Sequence, residues 1–307
     1  MDFSNIYHDS SSDYDTNLEK KIENPPRLKS HNCFCMWSDL LGFGELFQIS
    51  NWNLNHRQKR KIYNRLKAAH SAALYYSSFN ERNLILNDGV AKVLQPQNRL
   101  MDPSRLSTIS VYIRSCVQLH MSISKEEHLH DYPGCRSVLS FGENIEYLFD
   151  EIRLDDWVFN WSKKGKNVSN WAGEQGNPIV IYNPKELQMN TAFSKAFLLE
   201  SGGKMIGLPG NHFYIDKSTI EGVAKYAKKE SYELSWKETS DELFMFVVKE
   251  KKDINSKIMG FCFDTPPIEP QMEKYKTTVY RLKKFYPHDE NPDEFFFDLD
   301  VDSDRVP

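Results

Sequence analysis

Residues Cys33 to Gly44 read Cys-Phe-Cys-Met-Trp-Ser-Asp-Leu-Leu-Gly-Phe-Gly, and no other stretch constrains this chain as much. Cys33 to Trp37 is a short apolar run of the length of a buried strand. Asp39 follows at its carboxyl end. Leu40-Leu41-Gly42-Phe43-Gly44 then turns the chain, with glycines where the backbone approaches something closely or takes a positive φ. A carboxylate at a strand end beside such a turn can hold a divalent cation. The N–H groups of the turn can meet phosphate oxygens. A plain strand-to-helix turn with a solvated Asp has the same pattern, so the downstream context decides.

That context is Leu84 to Leu94, which reads as strand, two-residue turn, strand around Asn87-Asp88-Gly89. Asn-Gly and Asp-Gly pairs are the strongest short hairpin signals. A second carboxylate, Asp88, thus stands at a hairpin tip. The order strand–Asp–Gly turn–helix–strand–Asp–Gly–strand can bring Asp39 and Asp88 side by side on adjacent strands. Two carboxylates so placed repel each other unless a cation sits between them.

Ser38-Asp39-Leu40-Leu41-Gly42-Phe43 resembles the first metal-binding motif of the class III nucleotide cyclases, and Asn87-Asp88-Gly89 resembles the second. The resemblance runs from Cys33 to Asp216. It implies an α+β fold, a ferredoxin-like βαββαβ palm with a C-terminal extension. It also implies a homodimer with active sites at the interface. In the family, two Mg²⁺ or Mn²⁺ ions per site are held by two Asp residues. Here these are Asp39 and Asp88, with the Leu40 carbonyl as a further ligand. The backbone of Leu41, Gly42, Phe43 and Gly44 would cradle the triphosphate.

Composition sets the outer bounds. The chain has 307 residues, enough for one large domain or two small ones, and its 40% hydrophobic and 27% charged residues are ordinary for a globular protein. A net charge of −4 argues against a generic nucleic-acid coat. Five cysteines without framework spacing suggest reduced thiols and a cytoplasmic protein. No apolar run is long enough to cross a membrane as a helix.

Residues 1–30 are polar and are expected to form a mobile arm. Residues 31–230 are expected to form the catalytic domain, and 231–307 an extension with a loosely docked acidic tail. His56 to Ser78 has helical periodicity, and its basic start, Arg57 to Lys61, reads as a solvated face. A second helix is expected over Ser104 to Ser124, with Ile109, Ile113, Cys116, Val117 and His120 on its buried side. Cys135 to Gly142 alternates like a half-buried strand. Residues 143–176, rich in Trp, read as a surface insertion. Pro178 to Asn183 reads as a strand, and Pro184 is expected to open the following helix. Gly202 to Gly207 and Asn211 to Ile215 suggest a closing hairpin. Tyr232–Trp236, Leu243–Val248 and Ile258–Phe263 read as strands of an added antiparallel sheet.

The resemblance also has departures. The family helix carries an Asn and, four residues later, an Arg, both reaching the partner's triphosphate. Asn190 matches the Asn. The Arg position falls on Ser194, with Lys195 next to it. The positions that read adenine in purine cyclases are Leu84 and Asn183, and Tyr182 adjoins the second. Leu cannot donate to a ring nitrogen, and an amide differs from a carboxylate in its donors. This resembles the pyrimidine cyclases of bacterial Pycsar anti-phage defence. It implies conversion of UTP or CTP to the 3′,5′-cyclic nucleotide, a second messenger for a downstream receptor, with uridine favoured and no nucleic-acid or membrane partner. The rival readings are a nucleotide-binding sensor without turnover and an ordinary purine cyclase.

Overall fold

The computed structural model describes residues 27–78, 81–96, 104–148, 186–249, 257–287 and 296–299. By contacts the chain divides into residues 1–30 with 145–185, and residues 31–144 with 186–307. The second unit holds nearly all the described residues and is the subject below. Tyr182, Asn183, the expected strand at 178–183 and most of the Trp-rich insertion lie outside the described residues, as do residues 1–26 of the N-terminal arm.

Strand β1 (Arg27–Leu40) leads through helices α1 (Glu45–Ile49) and α2 (His56–Tyr75) to a hairpin of β2 (Glu81–Leu86) and β3 (Gly89–Leu94). Helix α3 (Arg105–His128) and strand β4 (Cys135–Leu148) follow. These strands are ordered β2-β3-β1-β4, with β3 antiparallel to both β1 and β2. This is the ferredoxin-like βαββαβ arrangement within an α+β fold. Helix α4 (Thr191–Gly202), strand β5 (Phe213–Asp216) and helix α5 (Lys217–Lys229) complete the palm.

Strand β1 is central because it is apolar on both faces. Phe34 and Met36 pack with α2, α3 and α5, while Cys33, Cys35 and Trp37 pack with Ala192, Ala196 and Leu199 of α4. The alternation is the period-two geometry of a strand. Each fully buried side chain of the size of Phe34 contributes roughly 1.5–3 kcal/mol. Helix α3 buries Ile109, Ile113, Cys116, Val117 and His120, as its spacing requires. The basic start of α2 is exposed at Arg57, Lys59, Arg60 and Lys61. All five cysteines are buried and unpaired. No helix among the described residues is long and apolar enough to cross a membrane.

The C-terminal strands β6 (Tyr232–Glu238), β7 (Glu242–Lys249) and β8 (Lys257–Asp264) fall where alternation placed them. They do not form a separate sheet. Strand β9 (Val279–Tyr286) pairs with β8 on one side and with β5 on the other, so one sheet runs through the palm and the extension. The acidic C-terminal segment therefore is not loosely docked over its described part: Val279, Leu282 and Phe285 are buried, and β10 (Phe297–Asp298) pairs with β9. The expected closing hairpin is also corrected. Gly203–Ile206 is a single 3₁₀ turn, and Phe213–Asp216 lies parallel to β4.

Candidate active site

Asp39 sits one residue from the end of β1, where its Cα pairs with Gly89 of β3. Asp88 immediately precedes Gly89, in the two-residue loop between β2 and β3. The sheet register therefore sets Asp39 across from the residue that follows Asp88, and the Asp88 charge acts on the Asp39 carboxyl. Asn87 takes φ 58°, a left-handed conformation that Asn tolerates, and its side chain donates to Asp88 Oδ1 at 2.9 Å. Gly89 is glycine for another reason. A Cβ there would stand 2.1 Å from the Trp37 indole. Gly42 takes φ 64° in the turn after Asp39, and this conformation disfavours any side chain.

Two residues that the sequence left unnoticed complete the site. Glu200, buried near the end of α4, and Arg136 of β4 form an ion pair, with Arg136 Nη2 donating to Glu200 Oε1 at 2.8 Å. Arg136 also donates to the Glu200 and Leu208 carbonyls. Gly203 leaves room for this guanidinium, since a Cβ there would approach Arg136 Nη2 to 2.6 Å. The Trp37 indole N–H is buried and makes no hydrogen bond, yet it lies close enough to Glu200 to favour its ionised form.

Burial, the Glu200 charge and the Asp88 charge push the Asp39 carboxyl up to about 7, against the opposing pull of Arg136 and Arg65. Burial likewise raises Glu200, and the charge and hydrogen bond of Arg136 oppose it. Burial is thus the main reason that Asp39 and Glu200 hold their protons, and the Asp88 charge adds to it at both.

These donors fit a hard divalent cation of one kind. No three His, Cys, Asp or Glu side chains among the described residues converge closely enough to chelate a metal by themselves. Mg²⁺, however, is usually held by one or two carboxylates together with substrate phosphates, not by an all-protein cage. Asp39 and Asp88 are the residues expected to supply such a pair. His120, by contrast, is a core histidine. It contacts Ser137 Oγ at 2.9 Å, and burial lowers its pKa to about 3, leaving it neutral.

The remaining expected site residues are placed differently. Asn190 is the buried N-cap of α4, accepting from the Phe193 N–H at 2.9 Å and donating to the Glu186 carbonyl at 2.7 Å. The helix expected from Pro184 accordingly begins at Thr191. Lys195 donates to the Phe141 carbonyl at 2.9 Å. Leu84 is buried with Trp37 and Val93 on the α4 side of the sheet. In the turn, the Leu41 N–H is already given to the Gly134 carbonyl at 2.9 Å, which leaves Gly42, Phe43 and Gly44 as the cradle candidates.

The raised Asp39 pKa has a stability consequence. Between the ordinary value of 3.8 and about 7, the folded state binds more protons at Asp39 than the unfolded state does. The metal-free protein therefore loses stability as pH rises through that window. Thermal melts in chelator are expected to show a smaller drop between about pH 5 and about pH 8 for Asp39→Asn than for the parent protein. Equal drops would mean that Asp39 titrates normally.

No protein-family model and no curated protein sequence matches this chain. Solved structures do. The chain is similar to the guanylyl cyclase Cya2 at 10% identity and TM-score 0.40, covering 84% of this chain and 94% of that one. It is similar to the adenylyl cyclase CyaB from P. aeruginosa at 10% identity and TM-score 0.38, covering 83% and 95%. A bacterial light-regulated adenylyl cyclase matches at 11% identity and TM-score 0.42, covering 88% of this chain and 62% of that one. At such identities the likeness is one of fold alone.

Proposed function

We propose that this protein is a metal-dependent nucleotide cyclase. One observation carries the reading: Asp39, near the end of β1, pairs with Gly89, the residue after Asp88, beside a glycine turn. The reaction would be attack of the 3′-hydroxyl of a nucleoside triphosphate on its own α-phosphorus, with pyrophosphate leaving. Mg²⁺ or Mn²⁺, bound by Asp39, Asp88 and the Leu40 carbonyl, would supply charge neutralisation at the attacking and leaving oxygens. The amides of Gly42, Phe43 and Gly44 would orient the β- and γ-phosphates. Positioning and electrostatics provide most of the catalysis in phosphoryl transfer, so no protein nucleophile is required.

The finer reading is a pyrimidine cyclase, favouring UTP over CTP, that makes a second messenger in anti-phage defence for a downstream receptor. Its support is Leu84, an apolar side chain where a purine-reading cation would stand. Asn183 and Tyr182 would complete the base pocket. A homodimer is supported by apolar side chains left exposed on and beside α4: Met189, Phe197, Leu198 and Met205. A second reading, a nucleotide-binding module without turnover, is favoured by the burial of Asn190 and the engagement of Lys195.

One experiment separates these. The full chain, its mass measured by light scattering, is incubated with each of ATP, GTP, UTP and CTP plus Mn²⁺, and the products are identified by mass spectrometry. The expected result is a dimer releasing pyrophosphate and a cyclic pyrimidine nucleotide. Equal rates with ATP and UTP would remove the base argument. Nucleotide binding without pyrophosphate would select the sensor.

A further inference from the structure

We infer that Arg65, with Glu127 as its counterion, is a positioning residue that holds the turn after Asp39 in place. The inference rests on the cyclase reading only for its consequence at the metal site. Arg65 lies inside α2, a helix whose other basic residues near its start are solvated, yet its side chain is 2% exposed, as is that of Glu127. Arg65 Nε donates to both Glu127 oxygens, at 2.9 and 3.0 Å, and Nη2 donates to Oε2 at 2.5 Å. Nη2 also donates to the Leu41 carbonyl at 2.8 Å. The guanidinium carbon lies 4.6 Å from the Tyr132 ring centroid and 5.7 Å from that of Phe43.

These contacts converge on one short segment. Leu41 is two residues beyond Asp39, and Phe43 belongs to the same turn. The Leu41 amide is tied to the Gly134 carbonyl, and its carbonyl is tied to Arg65, so both polar groups of this peptide position are fixed from opposite directions. Glu127, near the end of α3, fixes the guanidinium in turn. A planar fork is needed to serve the carboxylate and the carbonyl together, which a lysine ammonium cannot reproduce. The brace thus transmits the packing of α2 against α3 to the backbone that carries the candidate ligands. Burying an ion pair is in itself weak evidence for stability, and an apolar replacement of both partners is often tolerated. The fourth hydrogen bond, to the turn, is what gives this pair a specific task.

The test uses the full chain as Arg65→Met, Arg65→Lys, Glu127→Gln and the double replacement Arg65→Met/Glu127→Met. Hydrogen exchange at the Leu41 amide, which is bonded to the Gly134 carbonyl, reads how firmly the braced turn is held. Mn²⁺ affinity, measured as free ion by electron paramagnetic resonance, reads its consequence. Loss of a charge-assisted hydrogen bond should speed Leu41 exchange about tenfold and weaken Mn²⁺ binding to a similar degree. The double variant is decisive. It should recover the parent's thermal stability while keeping fast Leu41 exchange and weak Mn²⁺ binding, which a merely structural pair would not do. Parent-like Leu41 exchange in the double variant, or in Arg65→Lys should the others fail to fold, overturns the inference. A parent protein that binds no Mn²⁺ overturns the cyclase reading instead, while the exchange measurement still judges the brace.

Discussion

Asp88→Asn protein is expected to fold normally and to lose nucleotide turnover by at least about a thousandfold, the rate equivalent of the several kcal/mol that a bound metal contributes to transition-state stabilisation. The fold should survive because Asp88 sits on a loop tip, where the hydrogen bond given for its side chain comes from its neighbour Asn87. Removing its charge also relieves Asp39 and Glu200, both of which it destabilises electrostatically. Asp39→Asn should lose turnover equally, for the same reason. Circular dichroism and a melting curve establish the fold, and pyrophosphate release with Mn²⁺ gives the rate. Asp88→Asn turnover within about threefold of the parent would exclude Asp88 as a ligand, since no two-ion mechanism tolerates the loss of a ligand charge so lightly.

The parts of this site that were legible in the sequence are the local ones. Cys33 to Trp37 alternates over a strand buried on both faces, so its apolar run reports the strand directly. Leu28 and its neighbours in the first residues of β1 are exposed, and no apolar pattern marks them, so the strand is longer than it reads. Asp88 is legible because a hairpin turn fixes its register within a few residues, and Asp39 because it follows the apolar run of β1. Glu200 and Arg136 are not, since 64 positions separate them and neither carries a local signal. Arg65 is hidden by the basic run that precedes it; only its place on the buried side of α2, with Ile62 and Ala69, distinguishes it.

Two further misreadings have physical causes. Asn190 was legible as a helix cap, since Asn is among the best N-cap residues and its side chain serves the third N–H of the helix. In β9, Leu282 and Phe285 share one core although three positions separate them, because the pairing with β8 shifts register between Cys262 and Phe263, while Val279 lies in the other core. A bulge of this kind erases the alternation by which strands are recognised.

The hairpin that presents Asp88 depends on a second buried charge pair, and breaking it is expected to cost roughly 3–5 kcal/mol. Lys92 Nζ lies 2.5 Å from Glu81 Oε1, with both side chains fully buried. Lys92 also donates to the Tyr76 carbonyl at the end of α2, and Ser115 of α3 donates to Glu81 Oε2 at 2.7 Å. The Ser78 N–H donates to Glu81 Oε1 at 2.9 Å. The pair therefore joins β2 and β3 to both helices that cover this part of the sheet. Lys92→Met would leave the Glu81 carboxylate buried without its cation, and the melting temperature should fall by on the order of ten degrees. Replacing both residues with apolar ones, as Lys92→Met/Glu81→Leu, should recover much of the loss, because no uncompensated charge remains. If Lys92→Met melts within about two degrees of the parent, Glu81 is being neutralised or hydrated without cost, and the hairpin is held by its apolar contacts alone.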